Sequence, residues 1–288
     1  MAIGVLFGLL SMVGWGISDF LAAKSSRKIG NALTCFWAQF FSFLIVLIYF
    51  FLKFQTFYIN NIPKFFLLFL LAGFLYVVAT LSFFGGVVRG EVSLVAPIGS
   101  SYALIIILLS IIFFNEILKA NQILGIILII LGIPLLSINL GDFLKIKKLN
   151  IASGTKEGLI AMFGWGISLF LLVPASKALG WFLPIVILRL FSVLFLASYI
   201  IFRKQSFRKN LQPSIFILLF PAGLLDMVAF FAYSFGVERE YASIVAPIGA
   251  SFPLVTIVLA RIFLKEKLVL YQIIGIFSII TGLILISI

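Results

Sequence analysis

Apolar stretches of about twenty residues, separated by short segments that carry most of the charges, recur along the whole 288-residue chain. A helix needs about twenty apolar residues to cross the hydrocarbon core of a bilayer. The pattern therefore predicts an all-α integral membrane protein with ten transmembrane helices. The predicted spans lie near 3–23, 32–52, 65–87, 93–114, 120–138, 155–175, 182–202, 215–237, 243–264 and 270–288.

The composition agrees with a chain surrounded by lipid. Hydrophobic residues make up 64% of it and charged residues only 10%, whereas globular proteins carry about 25% charged residues. The formal net charge of +12 does not indicate a nucleic-acid partner, because Lys and Arg lie in short runs between apolar stretches. That placement is typical of loops that face anionic lipid. The expected partners are the lipid bilayer and a small-molecule substrate, with no nucleic acid.

Several functional classes are disfavoured by what the sequence lacks. Histidine is absent and Cys35 is the only cysteine, so a disulfide framework is impossible and a Cys/His metal site is disfavoured. No Walker loop or GxSxG motif is present. We expect no catalytic residues, no cofactor and no metal, and hence no enzyme. The apolar start of the chain, without a basic segment or a cleavage site, predicts a retained first span rather than a signal peptide.

The chain also repeats itself after 150 residues. The segment that begins GWGIS at Gly14 returns at Gly164, and SLVAPIGSS from Ser93 returns as SIVAPIGAS from Ser243. The same spacing, without a gap, relates further pairs: Pro63 and Pro213, Gly73 and Gly223, Glu116 and Glu266, Gln122 and Gln272, Gly125 and Gly275, and Gly132 and Gly282. A shared preference for Leu and Phe does not produce one register over a whole half, so the repeat indicates duplication.

The duplication predicts two domains and their relative orientation. The first repeat covers 1–138, a basic linker covers 139–150 and the second repeat covers 151–288. Because five spans per half is an odd number, the second half enters the membrane from the opposite side. Inverted repeats that meet around a midplane site are a recurrent transporter design.

Loop charge predicts which side is cytoplasmic. Fourteen Lys and Arg residues fall on the side of the loop between the first two spans, and five fall on the other side. By the positive-inside rule the first side is cytoplasmic, which places both termini outside. We expect a multi-pass protein of a prokaryotic cytoplasmic membrane.

These features together resemble the EamA branch of the drug/metabolite transporter superfamily. The resemblance rests on ten spans in two halves, on Trp15-Gly16 and Trp165-Gly166, on Pro97 and Pro247, on Glu116 and Glu266, and on the glycines of the fifth span of each half. It covers nearly the whole chain. It implies a secondary carrier with a central cavity lined by spans 1, 3, 4, 6, 8 and 9, and it does not specify the substrate.

On this basis we expect export of a small metabolite, such as an amino acid or a similar polar or amphipathic compound, by a monomer or weak homodimer. Two alternatives stay open: a flippase for a lipid-linked substrate or a small channel of the same superfamily, and a membrane-embedded enzyme. The predicted substrate and transport residues are Trp15, Asp19, Tyr76, Pro97, Tyr102, Trp165, Arg189, Asp226, Tyr233, Pro247 and Phe252.

Charged residues within the spans are the main candidates, because each costs about 2.5–3.5 kcal/mol at the centre of a membrane helix on insertion scales. They are Asp19, Arg189, Asp226 and Arg261, and the corresponding residues of the other half are Leu169, Gln39, Tyr76 and Ile111. A purely architectural role would be expected in both halves, so this one-sided placement favours an asymmetric substrate.

Each charged residue has more than one interpretation. Asp226, with Tyr233 two helical turns further on, is either part of the cavity or a buried ion-pair member. Arg189, at a similar depth, either pairs with Asp226 or holds an anionic group of the substrate. Asp19 is a proton or cation site, or a solvated residue in a vestibule. Arg261 is expected to extend towards lipid headgroups.

The repeated motifs have structural interpretations as well. Pro97 and Pro247 either open the helix towards the cavity or kink it for packing. Trp15 and Trp165 either form the cavity floor or pack elsewhere. Glu116, like its repeat Glu266, is expected to cap a helix or form a loop salt bridge rather than to gate. The glycine pairs of the fifth and tenth spans allow close helix contact, either between the halves or between subunits.

Overall fold

Apart from short turns and connections, the described part of the protein is helical. The computed structural model describes residues 2–53, 59–89, 92–137, 154–208, 211–264 and 270–288. The described helices of the first half are α1 (Ala2–Ile29), α2 (Asn31–Leu52), α3 (Phe66–Arg89), α4 (Val92–Ser100), α5 (Tyr102–Phe114) and α6 (Ala120–Ser137), with a short 3-10 helix at Ile59–Phe65. Those of the second half are α7 (Thr155–Leu179), α8 (Leu183–Phe202), α9 (Pro213–Arg239), α10 (Ala242–Ala250), α11 (Phe252–Leu264) and α12 (Leu270–Ser287).

Length and polarity identify a multi-pass membrane protein. Six described helices are long and apolar enough to cross a bilayer by themselves, namely α1, α2, α3, α7, α8 and α9. Large apolar side chains such as Leu67, Phe202 and Phe277 are exposed on the outer surface. In a soluble protein such a surface would aggregate, whereas lipid covers it at no cost.

The segment predicted as the fourth span of each half is divided into two helices, which differs from the continuous helices predicted at 93–114 and 243–264. The divisions fall at Ser101 and Ser251, where ψ is 3° and 8° instead of about −42°. The Ser101 N–H donates to the Ile98 carbonyl at 3.2 Å, and the Ser251 N–H donates to the Ile248 carbonyl at 3.1 Å. In these bonds the N–H of one residue donates to the carbonyl three residues earlier, as in a 3-10 helix, which interrupts the α-helical pattern of four. α5 and α11 therefore begin as separate helices.

The first helix is also longer than predicted. Lys24, Arg27 and Lys28, expected in a loop, form the last turns of α1. Lys and Arg are good helix formers, and their charges are favourable at a helix C-terminus. The helix stops at Gly30, where φ is +86°, and the corresponding Gly180 ends α7 at φ +78°. Glycine alone adopts such angles without strain.

The two halves contact each other through corresponding pairs of residues. The Ser18 hydroxyl donates to the Ala222 carbonyl at 2.8 Å, and the Ser168 hydroxyl donates to the Ala72 carbonyl at 2.8 Å. These contacts hold α1 against α9 and α7 against α3. The two contacts correspond, because Ser168 lies 150 residues after Ser18 and Ala222 lies 150 residues after Ala72.

The glycines predicted to allow close contact lie between α6 and α12. A Cβ on Gly125 would lie 2.7 Å from the Gly282 carbonyl oxygen, and one on Gly132 would lie 2.9 Å from that of Gly275. Of the two alternatives for these glycines, the contact between halves is therefore the one that the structure contains. The order of the contacts shows that α6 and α12 run antiparallel.

Candidate functional site

A central cavity lies among α1, α2, α3, α5, α7, α9 and α11. The cavity has a volume of about 50 Å³, which is room for roughly four waters. Its described lining residues come from both halves and are Trp15, Ser18, Asp19, Ala22, Thr34, Cys35, Ala38, Gln39, Tyr76, Thr80, Phe84, Tyr102, Trp165, Leu169, Asp226, Phe230 and Phe252.

Seven of the eleven predicted transport residues line this cavity: Trp15, Asp19, Tyr76, Tyr102, Trp165, Asp226 and Phe252. Arg189 and Tyr233 are fully buried in the wall behind it. Pro247 is buried within α10, and its carbonyl accepts a hydrogen bond from the Ser251 hydroxyl at 2.9 Å. The side chains of Pro97 and Arg261 lie outside the described residues, as do Glu266 and the predicted linker at 139–150.

An ion pair beside the cavity joins two buried charged residues of the second half. Arg189 Nη2 lies 2.8 Å from Asp226 Oδ2. The Arg189 side chain is completely buried, while that of Asp226 is 11% exposed. Of the two alternatives for Arg189, pairing with Asp226 is the one that the structure contains. A buried charge is costly unless it is paired, and each of these residues supplies the other's counter-ion, although Arg189 Nε has no hydrogen-bond partner among the described residues.

Two residues of the first half complete this charged group. Gln39 Nε2 donates to Asp226 Oδ2 and to the Tyr76 hydroxyl, both at 3.2 Å. Arg189 Nη1 donates to Gln39 Oε1 and lies 3.4 Å from the Tyr76 hydroxyl. Its guanidinium also lies over the Phe230 ring, 4.2 Å from the centroid, which adds a cation–π contact. The group thus spans both halves and leaves the Asp226 carboxylate at the cavity surface.

Aromatic rings form much of the remaining wall. Tyr102 lies between the two predicted tryptophans, with its ring centroid 6.5 Å from that of Trp15 and 6.3 Å from that of Trp165. Both contacts are edge to face, which is a favoured geometry for aromatic pairs. Trp165 Nε1 donates to the Thr80 hydroxyl at 3.0 Å, and this bond fixes its ring. Of the interpretations given for Trp15 and Trp165, cavity lining is the one that the structure supports.

Asp19 differs from the other charged residues of the cavity. It lies one helical turn from Trp15 on α1, lines the cavity and is partly buried. Among the described residues, none forms an ion pair or a hydrogen bond with its carboxylate. Its counterpart Leu169 lines the same cavity from α7. The cavity therefore has an acidic wall and an apolar wall at corresponding positions.

The sequence interpretation missed the contribution of α2. Thr34, Cys35, Ala38 and Gln39 line the cavity from a helix that was not expected to face it. The only signal was that Gln39 corresponds to Arg189 and is itself polar within an apolar span. The corresponding residues of α8, which are Pro184, Ile185, Leu188 and Arg189, do not belong to the described lining of the cavity. The cavity is thus one-sided.

Glu116 joins the halves away from the cavity. Its carboxylate accepts hydrogen bonds from the N–H groups of Ala242 and Ser243, at 3.0 and 3.1 Å, and from the Ser243 hydroxyl. Ala242 and Ser243 are the first two residues of α10. At the start of a helix, free N–H groups and the helix dipole attract a carboxylate. The capping role expected for Glu116 is confirmed, and the capped helix belongs to the other half.

A family model agrees with this description. The model of the EamA-like transporter family matches residues 2–138 and again 154–288. The chain belongs to the EamA-like transporter family. The resemblance inferred from the paired motifs is confirmed, and the protein is a membrane transporter by family.

Two further likenesses accompany this EamA-like chain. It is 31% identical over 135 residues to the uncharacterized protein MJ1333.1 of Methanocaldococcus jannaschii, a match that covers 47% of this chain and 96% of the relative. That relative is therefore about as long as one predicted repeat. A solved crystal structure shares 12% identity at a TM-score of 0.79, covering 99% of this chain and 97% of the other. At that identity the likeness shows the fold alone.

Proposed function

We propose that this EamA-like protein is a secondary carrier that exports a small metabolite across a prokaryotic cytoplasmic membrane. The observation that carries the proposal is the central cavity, which both halves line and which holds a charged, hydrogen-bonded group within otherwise apolar helices. Intramembrane charges are costly and are retained chiefly along substrate or ion pathways.

The proposed architecture is ten spans in two inverted repeats, with α4 and α5 together forming one span and α10 and α11 another. The paired contacts between the halves support it. Ser18 with Ala222 and Ser168 with Ala72 are related by the 150-residue repeat, as isologous contacts around a twofold axis would be. The antiparallel course of α6 and α12 also agrees with opposed halves. Both termini are then extracytoplasmic, as loop charge indicates.

The one-sided cavity favours a carrier over a channel. A channel needs a continuous aqueous path, whereas a carrier exposes its site to one side at a time. Here residues of α2 belong to the described lining of the cavity, whereas their counterparts on α8 do not. The size of the cavity favours a small metabolite over a lipid-linked substrate. No nucleotide-binding motif is present in the sequence, so an ion or a counter-substrate would drive transport.

Purified protein in liposomes tests the proposal. Uptake of radiolabelled small amines, amino acids and carboxylates is measured singly, with and without the same unlabelled compound inside. We expect saturable uptake of at least one compound, accelerated by internal unlabelled compound. Pro97→Ala and Pro247→Ala are expected to slow it with little loss of folded protein, whereas Phe277→Ala, on the lipid-facing surface, is expected to leave it unchanged.

Two results would contradict the carrier. Flux that rises linearly with substrate concentration, without acceleration by internal compound, would indicate a channel. No uptake above that of empty liposomes for any compound would remove the transport proposal for this chain.

A further inference from the structure

The proposed carrier function leaves open which chemical class of substrate the cavity accepts, and Asp19 is the residue that decides it. Its partly buried carboxylate faces the cavity, and no described residue pairs with it. An ionised carboxylate withdrawn from water is costly unless a cation or hydrogen-bond donors satisfy it. No described side chain supplies that group, so a cationic ligand is the partner that would satisfy the ionised carboxylate in this cavity.

The other charges around the cavity do not supply that cation. Arg189, which lies behind the cavity wall, is fully buried and paired with Asp226 at 2.8 Å. None of the described lining residues is Lys or Arg. With Asp19 ionised, the described charges therefore leave the cavity with one uncompensated negative charge. A substrate carboxylate would find no cationic partner among them, which disfavours anions and makes a zwitterion a poorer ligand than an amine.

The aromatic wall suits the same ligand. The ring centroid of Tyr102 lies within 6.5 Å of those of Trp15 and Trp165, and Tyr76 and Phe252 add further rings. The negative face of an aromatic ring attracts ammonium groups, and quaternary ammonium ligands are recognised by such rings. The cavity therefore offers a carboxylate and ring faces together.

We infer that the cavity binds a small organic ammonium ion without a carboxylate, held by Asp19 and the surrounding rings, with its apolar part towards Leu169. The repeat explains the polarity of this site. Positions 19 and 169 correspond, and both line the cavity, but one is acidic and the other apolar. The inference rests on the proposed carrier function and narrows its substrate to amines.

Cys35, the sole cysteine of the chain, lines the same cavity and reports on its charge. Two thiol reagents of similar size are compared: the trimethylammonium-ethyl and the sulfonatoethyl methanethiosulfonates. For each reagent, the rate of modification of Cys35 is divided by its rate of modification of an exposed cysteine, placed at Ser206 in a Cys35→Ala background. This division removes the difference in intrinsic reactivity between the reagents. We expect a preference for the cationic reagent of about tenfold or more, because a negatively charged cleft concentrates cations. Asp19→Asn is expected to abolish it.

Thermal melts measure the same preference without using the thiol. Ethylammonium, propionate and alanine form a matched set, because each of the first two lacks one charged group of alanine. Ethylammonium is expected to raise the melting temperature, propionate to leave it unchanged and alanine to have a smaller effect. Asp19→Asn is expected to remove the ethylammonium effect. Glu157→Gln, which removes a carboxylate outside the cavity, is expected to retain it.

The results separate this inference from the carrier proposal. Stabilisation by propionate or alanine equal to that by ethylammonium, or an ethylammonium effect that survives Asp19→Asn, would overturn the amine assignment. So would the absence of stabilisation by ethylammonium together with equal normalised rates of the two reagents. Saturable uptake of a carboxylate in liposomes would keep the carrier and reject the amine. Ethylammonium binding without saturable uptake would keep the amine site and reject the carrier.

Discussion

Arg189 Nη1 donates a hydrogen bond to Oε1 of Gln39, the residue that occupies the corresponding position 150 residues earlier. The two residues that they hold, Asp226 and Tyr76, also correspond. One group of four side chains thus consists of two repeat-related pairs, in which only the second half carries charge. The neutral residues Gln39 and Tyr76 both line the cavity, whereas of the charged pair only Asp226 does.

The first prediction concerns the stability of this ion pair. Arg189→Gln leaves the Asp226 carboxylate without its cation, and Asp226→Asn leaves a buried guanidinium without its anion. Removing one partner of a buried pair costs about 3–5 kcal/mol. Each single variant is therefore expected to lower the free energy of unfolding by that order, and the double variant by much less than the sum. Denaturation of the purified protein in detergent measures this coupling.

A surface ion pair supplies the matched control. Arg89 Nη1 lies 3.1 Å from Glu157 Oε1, and the Arg89 side chain is mostly exposed. Exposed pairs contribute about 0–1 kcal/mol, so Glu157→Gln is expected to change the free energy of unfolding by no more than that. Additive effects of the two changes at Arg189 and Asp226 would reject direct coupling between them.

The second prediction concerns the cap that Glu116 provides. Glu116→Ala leaves the N–H groups of Ala242 and Ser243 without an acceptor, at a cost of about 1–3 kcal/mol. We expect a lower melting temperature, and partial recovery in Glu116→Gln, which retains one acceptor oxygen. The neighbouring Asn115→Gly is the control. Its φ of +51° suits glycine, so its melting temperature is expected to stay near that of the unaltered protein.

The cap prediction is contradicted if Glu116→Ala has the melting temperature of the unaltered protein. It is also contradicted if Asn115→Gly lowers the melting temperature as much as Glu116→Ala does. In the first case the two N–H groups find water or another acceptor without cost. In the second case the turn, and not the carboxylate, holds α10 in place.

The sequence predicts most of what depends on local pattern. Hydrophobic stretches indicate where the membrane helices lie, and the repeat indicates which residues correspond. Charged residues within apolar spans are conspicuous, which is why Asp19, Arg189 and Asp226 were found, and the structure places all three at one cavity.

The features that were missed depend on how helices face one another. In a helix apolar on all sides, the hydrophobic pattern does not separate the lipid-facing side from the buried side. Thr34 and Cys35 therefore carry no signal that α2 lines the cavity. Glu116 was expected to cap a helix, but its partner Ser243 lies 127 residues away, and only the packed fold brings them together. The divisions of the predicted fourth spans at Ser101 and Ser251 depend on the backbone angle ψ of one residue each, which the hydrophobic pattern does not indicate.

The third prediction concerns the orientation of the two halves. Lys64 and Ser214 correspond in the repeat, and both are exposed near the start of the third helix of their half. If the halves are inverted, these two positions lie on opposite sides of the membrane, and loop charge places Ser214 in the cytoplasm and Lys64 outside. Cys35 is first replaced by Ala, and single cysteines are then placed at the two positions. An impermeant maleimide applied to intact cells is expected to label Lys64→Cys without permeabilisation and Ser214→Cys only after permeabilisation.

A denatured sample labels both positions and controls for the amount of protein. Labelling of Ser214→Cys but not Lys64→Cys in intact cells would reverse the assignment of the termini and keep the inversion. Equal labelling of both in intact cells, or of both only after permeabilisation, would place the corresponding positions on one side and reject the inverted repeat.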